Sequence, residues 1–395
     1  MTDAACLNSL RFDNTRYGKI INEHSGSLEW LWVHSEYRKW STADSSRLLC
    51  IEGKPGSGKS TLMKYFKNNL LKREPNSRSA IIASFFYSYR EGESQRSHYS
   101  MLRSILYDIL DQKDSFFYHF QSEFRKYQAL GREPGHGDLN KSHYESLQNV
   151  LLSIGKHESR ERIYLLIDAI DESSDQDRRD ILQLLLKLCC NNCCIFKVFV
   201  ASRPVVELNH LIGKSQAVIR MQDMNKVDIQ NYVQSFLHPQ LESEISENDL
   251  HQAKEYILEH AQGVFLWVHL VGNELIRFVE TGYSRREMFS FLQGLPRELD
   301  GLYQRMLQDI EECGDVEVTK RMFQLVLFAR RPFTLFEFQH ALSIADCTEL
   351  IPSDECFRDS LIKGLERRII HRGHNLLEIK GHNGIFLSNS IRRVI

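Results

Sequence analysis

Length, composition and charge set the first limits on this chain. Its 395 residues are enough for about two to four domains with buried cores. The apolar share of 42%, the charged share of 26% and a net charge of −2 are typical of a soluble globular protein and exclude a general nucleic-acid or membrane surface. No apolar run reaches the roughly 18 residues that span a bilayer, and the first residues lack a signal-peptide pattern, so we expect a cytoplasmic protein.

The first half of the chain predicts an α/β domain behind a short helical segment. Residues 1–46 contain apolar positions at three- and four-residue spacing, which favour short amphipathic helices. An apolar run at 47–52 then ends at a glycine and predicts a buried strand. Four more strand candidates alternate with helical stretches, at 80–87, 163–167, 195–200 and 217–221. This alternation predicts an α/β fold with a five-stranded parallel sheet that is covered on both faces.

The strand pattern stops at residue 225. Residues 225–296 predict a helical domain, which ends near Leu295-Pro296. Residues 297–395 predict helices followed by a hairpin at 376–379 and 384–387, the order found in a winged-helix unit. The predicted organisation is therefore a helical segment at 1–46, an α/β domain at 47–224, a helical domain at 225–296 and a winged-helix-like domain at 297–395.

Four of the nine cysteines lie within six residues, at 189–190 and 193–194. In a cytoplasmic protein they are expected to be reduced thiols. They could clamp zinc, but their spacing is tighter than that of two paired zinc knuckles and no second cluster follows. We favour a helix end that runs through Asn191-Asn192 into a buried strand, with cysteine as a small apolar side chain.

The strongest motif is Gly53-Lys-Pro-Gly-Ser-Gly-Lys-Ser60, which matches the phosphate-loop pattern Gly-x4-Gly-Lys-Ser/Thr in full. Its glycines let successive backbone N–H groups surround an anion, and the following helix starts with unpaired N–H groups on the same side. Lys59 provides charge for the β- and γ-phosphates, Ser60 a hydroxyl for Mg²⁺, and Thr61 a contact to a lower phosphate. The predicted nucleotide-binding residues are Gly53, Pro55, Gly56, Ser57, Gly58, Lys59, Ser60 and Thr61.

Two further strand ends carry residues that suit the same site. Asp168 follows an apolar strand and is predicted to hold Mg²⁺ together with Ser60. Asp171 and Glu172 are candidates to position or deprotonate the attacking water. Arg203 follows another strand, and if that strand lies between the other two its tip directs Arg203 at the γ-phosphate. The predicted catalytic residues are Asp171, Glu172 and Arg203.

The order of these motifs resembles the NACHT branch of the signal-transduction NTPases with numerous domains, and above all the fungal NACHT proteins, whose module is also described as nephrocystin-like. The likeness covers nearly the whole chain and rests on the segments 10–12, 27–31, 53–63, 85–87, 95–97, 102–106, 167–172, 201–204, 263–267, 295–303 and 331–335. The resemblance implies a P-loop NTPase that binds ATP, or GTP, with Mg²⁺ and hydrolyses it slowly. It also implies a closed-to-open transition with self-association or a signalling partner, and neither nucleic acid nor membrane as a partner.

The chain departs from that family in two respects. The usual effector domain and sensor repeats are missing, so the chain resembles the central switch alone, as a short member or an incomplete gene model. Ser388 stands where relatives tend to have a histidine that holds the β-phosphate of ADP, and Arg393 stands where they have aspartate. This puts tight ADP locking in doubt. His371, His374 and His382 are more readily explained as surface or core residues than as replacements.

Three other functions compete with the switch. A kinase would need an acceptor pocket and a basic lid, which the amphipathic helices after the motif do not suggest. A nucleotide-independent scaffold or decoy is favoured by Ser388, Arg393 and the missing domains, but Lys59, Ser60, Asp168 and Glu172 are all intact. A DNA-binding winged helix would need a clustered basic recognition helix, and the arginine pairs at 330–331 and 392–393 are too few. The phosphate loop does not distinguish ATP from GTP.

Overall fold

The computed structural model describes residues 3–74, 80–89, 91–129, 141–174, 178–190, 193–205, 217–312, 316–329, 331, 333–346, 361–372, 377–380 and 384–387. The chain divides into two compact units, residues 1–232 and 233–395. The division falls eight residues after the predicted end of the α/β domain, inside a helix.

The first unit contains the predicted parallel sheet. Its strands are β1 (Arg47–Glu52), β2 (Ile81–Phe86), β3 (Arg162–Asp168), β4 (Ile195–Ser202) and β5 (Ala217–Arg220). Four helices precede the sheet: α1 (Asp3–Leu10), α2 (Thr15–Lys19), α3 (Trp30–Val33) and α4 (Ser35–Thr42). The helices between the strands are α5 (Lys59–Arg73), α6 (His98–Gln112), α7 (Phe117–Ala129), α8 (Lys141–Gly155) and α9 (Arg178–Leu188). After the sheet, α10 (Met221–Met224) and α11 (Lys226–Leu241) follow.

The strand order is β2-β3-β4-β1-β5, and all neighbouring strands are parallel. The five-stranded parallel sheet is therefore confirmed. In β1, Leu48 and Cys50 face one hydrophobic cluster while Leu49 and Ile51 face the other. This two-residue alternation buries both faces of the strand, as a covered parallel sheet requires. Because all strands run the same way, their carboxyl ends share one edge, where the predicted motifs meet.

The N-terminal helices are part of this unit's core. Tyr37 and Trp40 of α4 are buried against α5 and the sheet. Lys197 of β4, which is fully buried, donates from Nζ to the carbonyl oxygens of Trp40, Ala43 and Ser45 at 2.6, 2.6 and 3.1 Å. A charged residue in an apolar strand is thus explained, because its ammonium group caps the last carbonyls of α4.

The second unit is helical with a small sheet. Its helices after α11 are α12 (Glu247–His260), α13 (Phe265–Glu280), α14 (Arg285–Gln293), α15 (Leu299–Glu312), α16 (Val316–Phe328), α17 (Leu335–Asp346) and α18 (Leu365–Arg372). The strands β6 (Phe333–Thr334), β7 (Leu377–Lys380) and β8 (Gly384–Leu387) form an antiparallel sheet in the order β6-β8-β7. The hairpin is as expected from the sequence, and the winged-helix assignment stays a prediction. Ser388, Arg393, His374 and His382 lie outside the described residues, as does the side chain of His371.

Within the described ranges, every helix is too short or too polar to cross a bilayer.

Candidate nucleotide-binding site

The loop between β1 and α5 needs glycine at three positions for two different reasons. Gly56 and Gly58 have φ values of 72° and 95°, in the left-handed region that side chains rarely adopt. Gly53 is needed for space, because a Cβ there would lie 2.6 Å from Ser57 Oγ and 2.8 Å from Met221 Cβ. The glycine pattern of the sequence motif therefore follows from the backbone shape and packing of the loop.

Backbone and side-chain hydrogen bonds hold this loop from two sides. The N–H of Gly53 donates to the carbonyl of Ser202 at the end of β4, at 3.2 Å. Asn225, which is fully buried between α10 and α11, donates from Nδ2 to the carbonyl of Ser57 at 3.1 Å. The Ser57 hydroxyl is itself buried and has no hydrogen-bond partner among the described residues. The curl of the loop is therefore fixed by residues up to 168 positions away.

Lys59 is the first residue of α5, and its side chain folds back onto the phosphate loop. Its Nζ donates to the carbonyls of Gly53 and Lys54 at 2.7 and 2.9 Å. Burial lowers the pKa of Lys59 to about 8, although the charges of Asp171 and Asp168 act in the opposite direction. At neutral pH the ammonium is still mostly charged, and a phosphate beside it would favour the charged form further. Lys59 is thus placed to exchange two neutral acceptors for an anion.

Asp168 ends β3 as a buried carboxylate, with 1% of its surface exposed. Neither carboxylate oxygen has a hydrogen-bond partner among the described residues. Burial raises the pKa of Asp168 to about 6, and the charges of Arg16 and Lys59 partly offset that rise, as does the nearby Ser60 hydroxyl, which does not complete a hydrogen bond to the carboxylate. A buried acid without a partner is costly unless something else satisfies it.

This donor set fits Mg²⁺ bound together with a nucleotide. The described residues contain no group of three or more side chains that would hold a metal by themselves. Mg²⁺ does not need such a group, since it is usually bound through one or two protein oxygens, substrate phosphates and water. Ser60 and Asp168 are the two protein oxygens expected for that arrangement.

The chain turns sharply directly after Asp168. Ala169 has a φ of 54°, unusual for a residue with a side chain, and a 3₁₀ turn follows at Ile170–Glu172. The turn is closed by the N–H of Glu172, which donates to the carbonyl of Ala169 at 2.8 Å. As a result, the two acids that follow are directed to different partners.

Asp171 pairs with Arg203 at the tip of β4. Nε of Arg203 lies 3.1 Å from Asp171 Oδ2, and the N–H of Arg203 donates to Oδ1 at 3.1 Å. Glu172 instead accepts the N–H of Tyr89, in the loop after β2, at 3.0 Å. As the sequence argument required for Arg203, β4 lies between β1 and β3. Asp171 is therefore engaged in orienting Arg203, and Glu172 in holding the neighbouring loop.

Three residues at this edge of the sheet were missed by the sequence analysis. Asn225 holds the phosphate loop, as described above. Asp228 in the first turn of α11 accepts the N–H of Leu28 and Nε1 of Trp30 at 3.1 and 3.0 Å. Arg16 of α2 lies close enough to Asp168 for its charge to act on that carboxylate. Asn225 and Asp228 lie at the start of the predicted helical domain, which was the available signal, whereas nothing in the sequence singled out Arg16.

The cysteine cluster lies between a helix end and a strand, as expected from the sequence, but two of its four thiols are exposed. Helix α9 ends at Leu188 and β4 begins at Ile195, with Cys194 buried and Cys190 and Cys193 exposed. Asn191 and Asn192 lie outside the described residues. The described part of the chain offers no metal-binding group here.

Comparison with known proteins identifies the type of module. Residues 26–203 match the family model for the N-terminal region of nephrocystin 3. Over 356 residues, the chain is 28% identical to the vegetative incompatibility protein HET-E-1 of Podospora anserina. Both matches support a NACHT-like protein. The HET-E-1 alignment covers 87% of this chain but 25% of HET-E-1 itself.

Solved structures also align with the NACHT-like chain over most of its length. They include the Drosophila ORC bound to DNA, with 11% identity, 98% of this chain and 89% of that chain covered, and a TM-score of 0.42. Another is the ADP form of the Aeropyrum pernix ORC2 protein, which is 11% identical. That alignment covers 95% of this chain and 94% of the ORC2 chain, with a TM-score of 0.39.

The first unit of the chain is a P-loop nucleotide-binding module. The family match ends at Arg203, so it leaves out Asn225, which holds the phosphate loop, and Asp228, which binds Leu28 and Trp30.

Proposed function

We propose that this chain is a nucleotide-dependent signalling switch that binds ATP or GTP with Mg²⁺ and hydrolyses it slowly. The observation that carries the proposal is the carboxylate of Asp168, buried without a hydrogen-bond partner among the described residues, on the same sheet edge as the loop that holds Lys59. An acid in this position destabilises the chain unless a cation compensates it.

The chain's own residues divide the work of binding. The loop glycines and the first turn of α5 surround the phosphates, and Lys59 moves from the carbonyls of Gly53 and Lys54 to the phosphate oxygens. Ser60 and Asp168 hold Mg²⁺, which neutralises phosphate charge when bound. Arg203, oriented by Asp171, is about one third exposed and is directed toward the terminal phosphate. Binding is thereby made sensitive to the number of phosphates.

Slow turnover is consistent with the position of Glu172. A general base must reach the attacking water, and this carboxylate accepts the N–H of Tyr89 at 3.0 Å instead. Activation of water by Glu172 therefore has to use the other carboxylate oxygen, or to follow release of the loop after β2. Hydrolysis at such a site serves to reset a state rather than to make a product.

A switch requires the triphosphate and the diphosphate to differ in affinity for two conformations, because a ligand that binds both equally shifts nothing. We propose that the triphosphate favours an open form that self-associates or engages a signalling partner, while the diphosphate favours a closed form.

The test is nucleotide binding by the purified chain, with ATP, GTP and ADP titrated in the presence and absence of Mg²⁺. We expect micromolar binding that Lys59→Ala weakens by about ten- to a hundredfold, since one charge-assisted contact is worth about 1.5–3 kcal/mol. Lys72→Ala is the matched control, because Lys72 is an exposed lysine on the same helix. No binding by a folded wild-type chain would contradict the proposal and favour a scaffold or decoy without turnover.

A further inference from the structure

Helix α2 is fixed at the sheet edge that carries Asp168. The ring of Tyr17 packs on Phe86, with centroids 5.1 Å apart, and Phe86 pairs with Asp168 in the register of β2 and β3. The Tyr17 hydroxyl donates to Oδ1 of Asn68 in α5 at 2.6 Å. Nζ of Lys67, also in α5, lies 4.7 Å from the centre of the Tyr17 ring. Tyr17 therefore anchors α2 to the helix that follows the phosphate loop.

Contacts on both sides of Tyr17 also attach α2 to its neighbours. Nζ of Lys64 in α5 donates to the carbonyl of Ile20 at 2.6 Å. On the other side, Lys19 pairs with Glu91 at 2.6 Å, and the hydroxyl of Thr15 donates to the same carboxylate at 3.3 Å. Glu91 belongs to the loop after β2, the loop that also contacts Glu172 through Tyr89. Helix α2 is thus held between α5 and this loop.

Arg16 lies among these anchors with unused hydrogen-bonding capacity. Its Nε is buried and has no hydrogen-bond partner among the described residues. Arg16 lies close enough to Asp168 for its charge to act on that carboxylate. The two other cations of the site are already engaged, Lys59 with loop carbonyls and Arg203 with Asp171.

A buried Nε–H without an acceptor is costly, because this donor has lost its hydration and no hydrogen bond replaces it. The acceptor that the proposed function brings to this place is a phosphate. Guanidinium groups bind phosphate oxygens through two parallel hydrogen bonds, which makes arginine well suited to it. A terminal phosphate also carries the charge that distinguishes a triphosphate from a diphosphate.

We propose that Arg16 binds the terminal phosphate of the nucleotide and so makes the position of the N-terminal helix α2 depend on the triphosphate. The inference rests on the proposed function, since it needs a nucleotide in the loop. It adds a second reporter of the terminal phosphate beside Arg203, carried by a different part of the chain. Nucleotide state would thereby reach the N-terminal segment directly.

The test compares Arg16→Gln with the wild type, using a non-hydrolysable ATP analogue and ADP in isothermal titration calorimetry. We expect the variant to lose about ten- to a hundredfold in affinity for the triphosphate and less than threefold for ADP. Lys19→Gln is the matched control, because it removes a cation from the same helix whose pairing with Glu91 is already satisfied. It should leave the ratio of the two affinities unchanged.

Hydrogen–deuterium exchange of residues 15–19 is a second readout, because it reports on helix α2 itself, whereas affinity does not. In the wild type, we expect slower exchange with the triphosphate analogue than with ADP, and no such difference in Arg16→Gln. Arg16→Lys keeps the charge but not the planar fork, and it should show an intermediate loss; it also carries the test if Arg16→Gln does not fold.

Equal losses for both nucleotides would mean that Arg16 only supports the fold, and no loss would mean that it does not touch the phosphate; either result overturns the inference. If the folded wild type binds neither nucleotide, the proposed function itself has failed, which is a different result from a wild type that binds and an Arg16 variant that is unchanged.

Discussion

Replacing Asp168 by asparagine should stabilise the nucleotide-free chain while removing its response to Mg²⁺. The wild-type carboxylate is buried, and neither oxygen has a hydrogen-bond partner among the described residues. Asparagine has the same shape and no charge, so the variant avoids the cost of burying an ion. Function and stability therefore make opposite demands on this one side chain.

The size of the effect follows from the pKa of Asp168, which is about 6 in the folded chain against an ordinary value of 3.8. This difference corresponds to about 3 kcal/mol of destabilisation once the group is ionised in both states. The amide of asparagine is also buried without a partner, so we expect a net gain of about 1–3 kcal/mol. For a unit of this size that raises the melting temperature by roughly 3–10 °C.

The pH dependence has a defined sign. Since the pKa of Asp168 is raised in the folded state, the folded chain binds the proton more tightly than the unfolded chain does between pH 4 and pH 6. The stability of the wild type therefore falls relative to that of Asp168→Asn as pH rises from about 4 to about 6. Above about pH 6 the difference between the two stays constant. The advantage of Asp168→Asn should be full at pH 7.5 and nearly absent at pH 4.

Thermal unfolding by circular dichroism at pH 4 and pH 7.5 measures this difference directly. Adding Mg²⁺ with ATP at a hundred times the dissociation constant should stabilise the wild type by about 2.7 kcal/mol and the variant by much less. The difference between the two melting temperatures should then become smaller or change sign. A variant that is no more stable than the wild type at pH 7.5, or an advantage that does not change with pH, would refute the reasoning.

Two further substitutions test the phosphate loop and the buried lysine of β4. Gly53→Ala forces a Cβ to within 2.8 Å of Met221 Cβ, so we expect about 1–3 kcal/mol of destabilisation and at least tenfold weaker nucleotide binding. Gly18→Ala is the control: a Cβ there meets nothing within 4 Å, so this change in helix α2 should neither destabilise the chain nor weaken binding. Lys197→Met leaves three carbonyls without their buried donor, and chemical denaturation should show a loss of about 3–5 kcal/mol in the free energy of unfolding. The exposed Lys187→Met is the control and should lose less than about 1 kcal/mol. A loss as small as that for Lys197→Met would show that the buried ammonium contributes little.

The sequence allowed the sheet and the loop to be predicted because their signals are local. Apolar runs of β-strand length and a glycine-rich turn before Lys59 each specify backbone shape within a few residues. The position of β4 between β1 and β3 entered the sequence argument as a condition, and the strand order satisfies it. The winged-helix assignment has no comparable support, since part of that region lies outside the described residues.

The contacts of the site could not be predicted, because they join residues far apart in the chain. Asp171 and Glu172 are adjacent acids after the same strand, yet the left-handed backbone at Ala169 directs one to Arg203 and the other to Tyr89. No sequence pattern specifies that Asn225 reaches the loop from 168 residues away. Motif matching identifies which residue types meet at the sheet edge, while the pairing among them depends on the folded chain.

The carboxylate of Asp228 has a consequence for how this chain is made. It accepts from Leu28 and Trp30, which precede it by about two hundred positions. At about 5–20 residues per second, synthesis delivers Asp228 to the N-terminal segment some 10–40 s after Trp30 has emerged. During that interval Asp228 cannot accept from the indole and amide donors. A fragment that stopped at Arg203, where the family match ends, would lack this acceptor altogether.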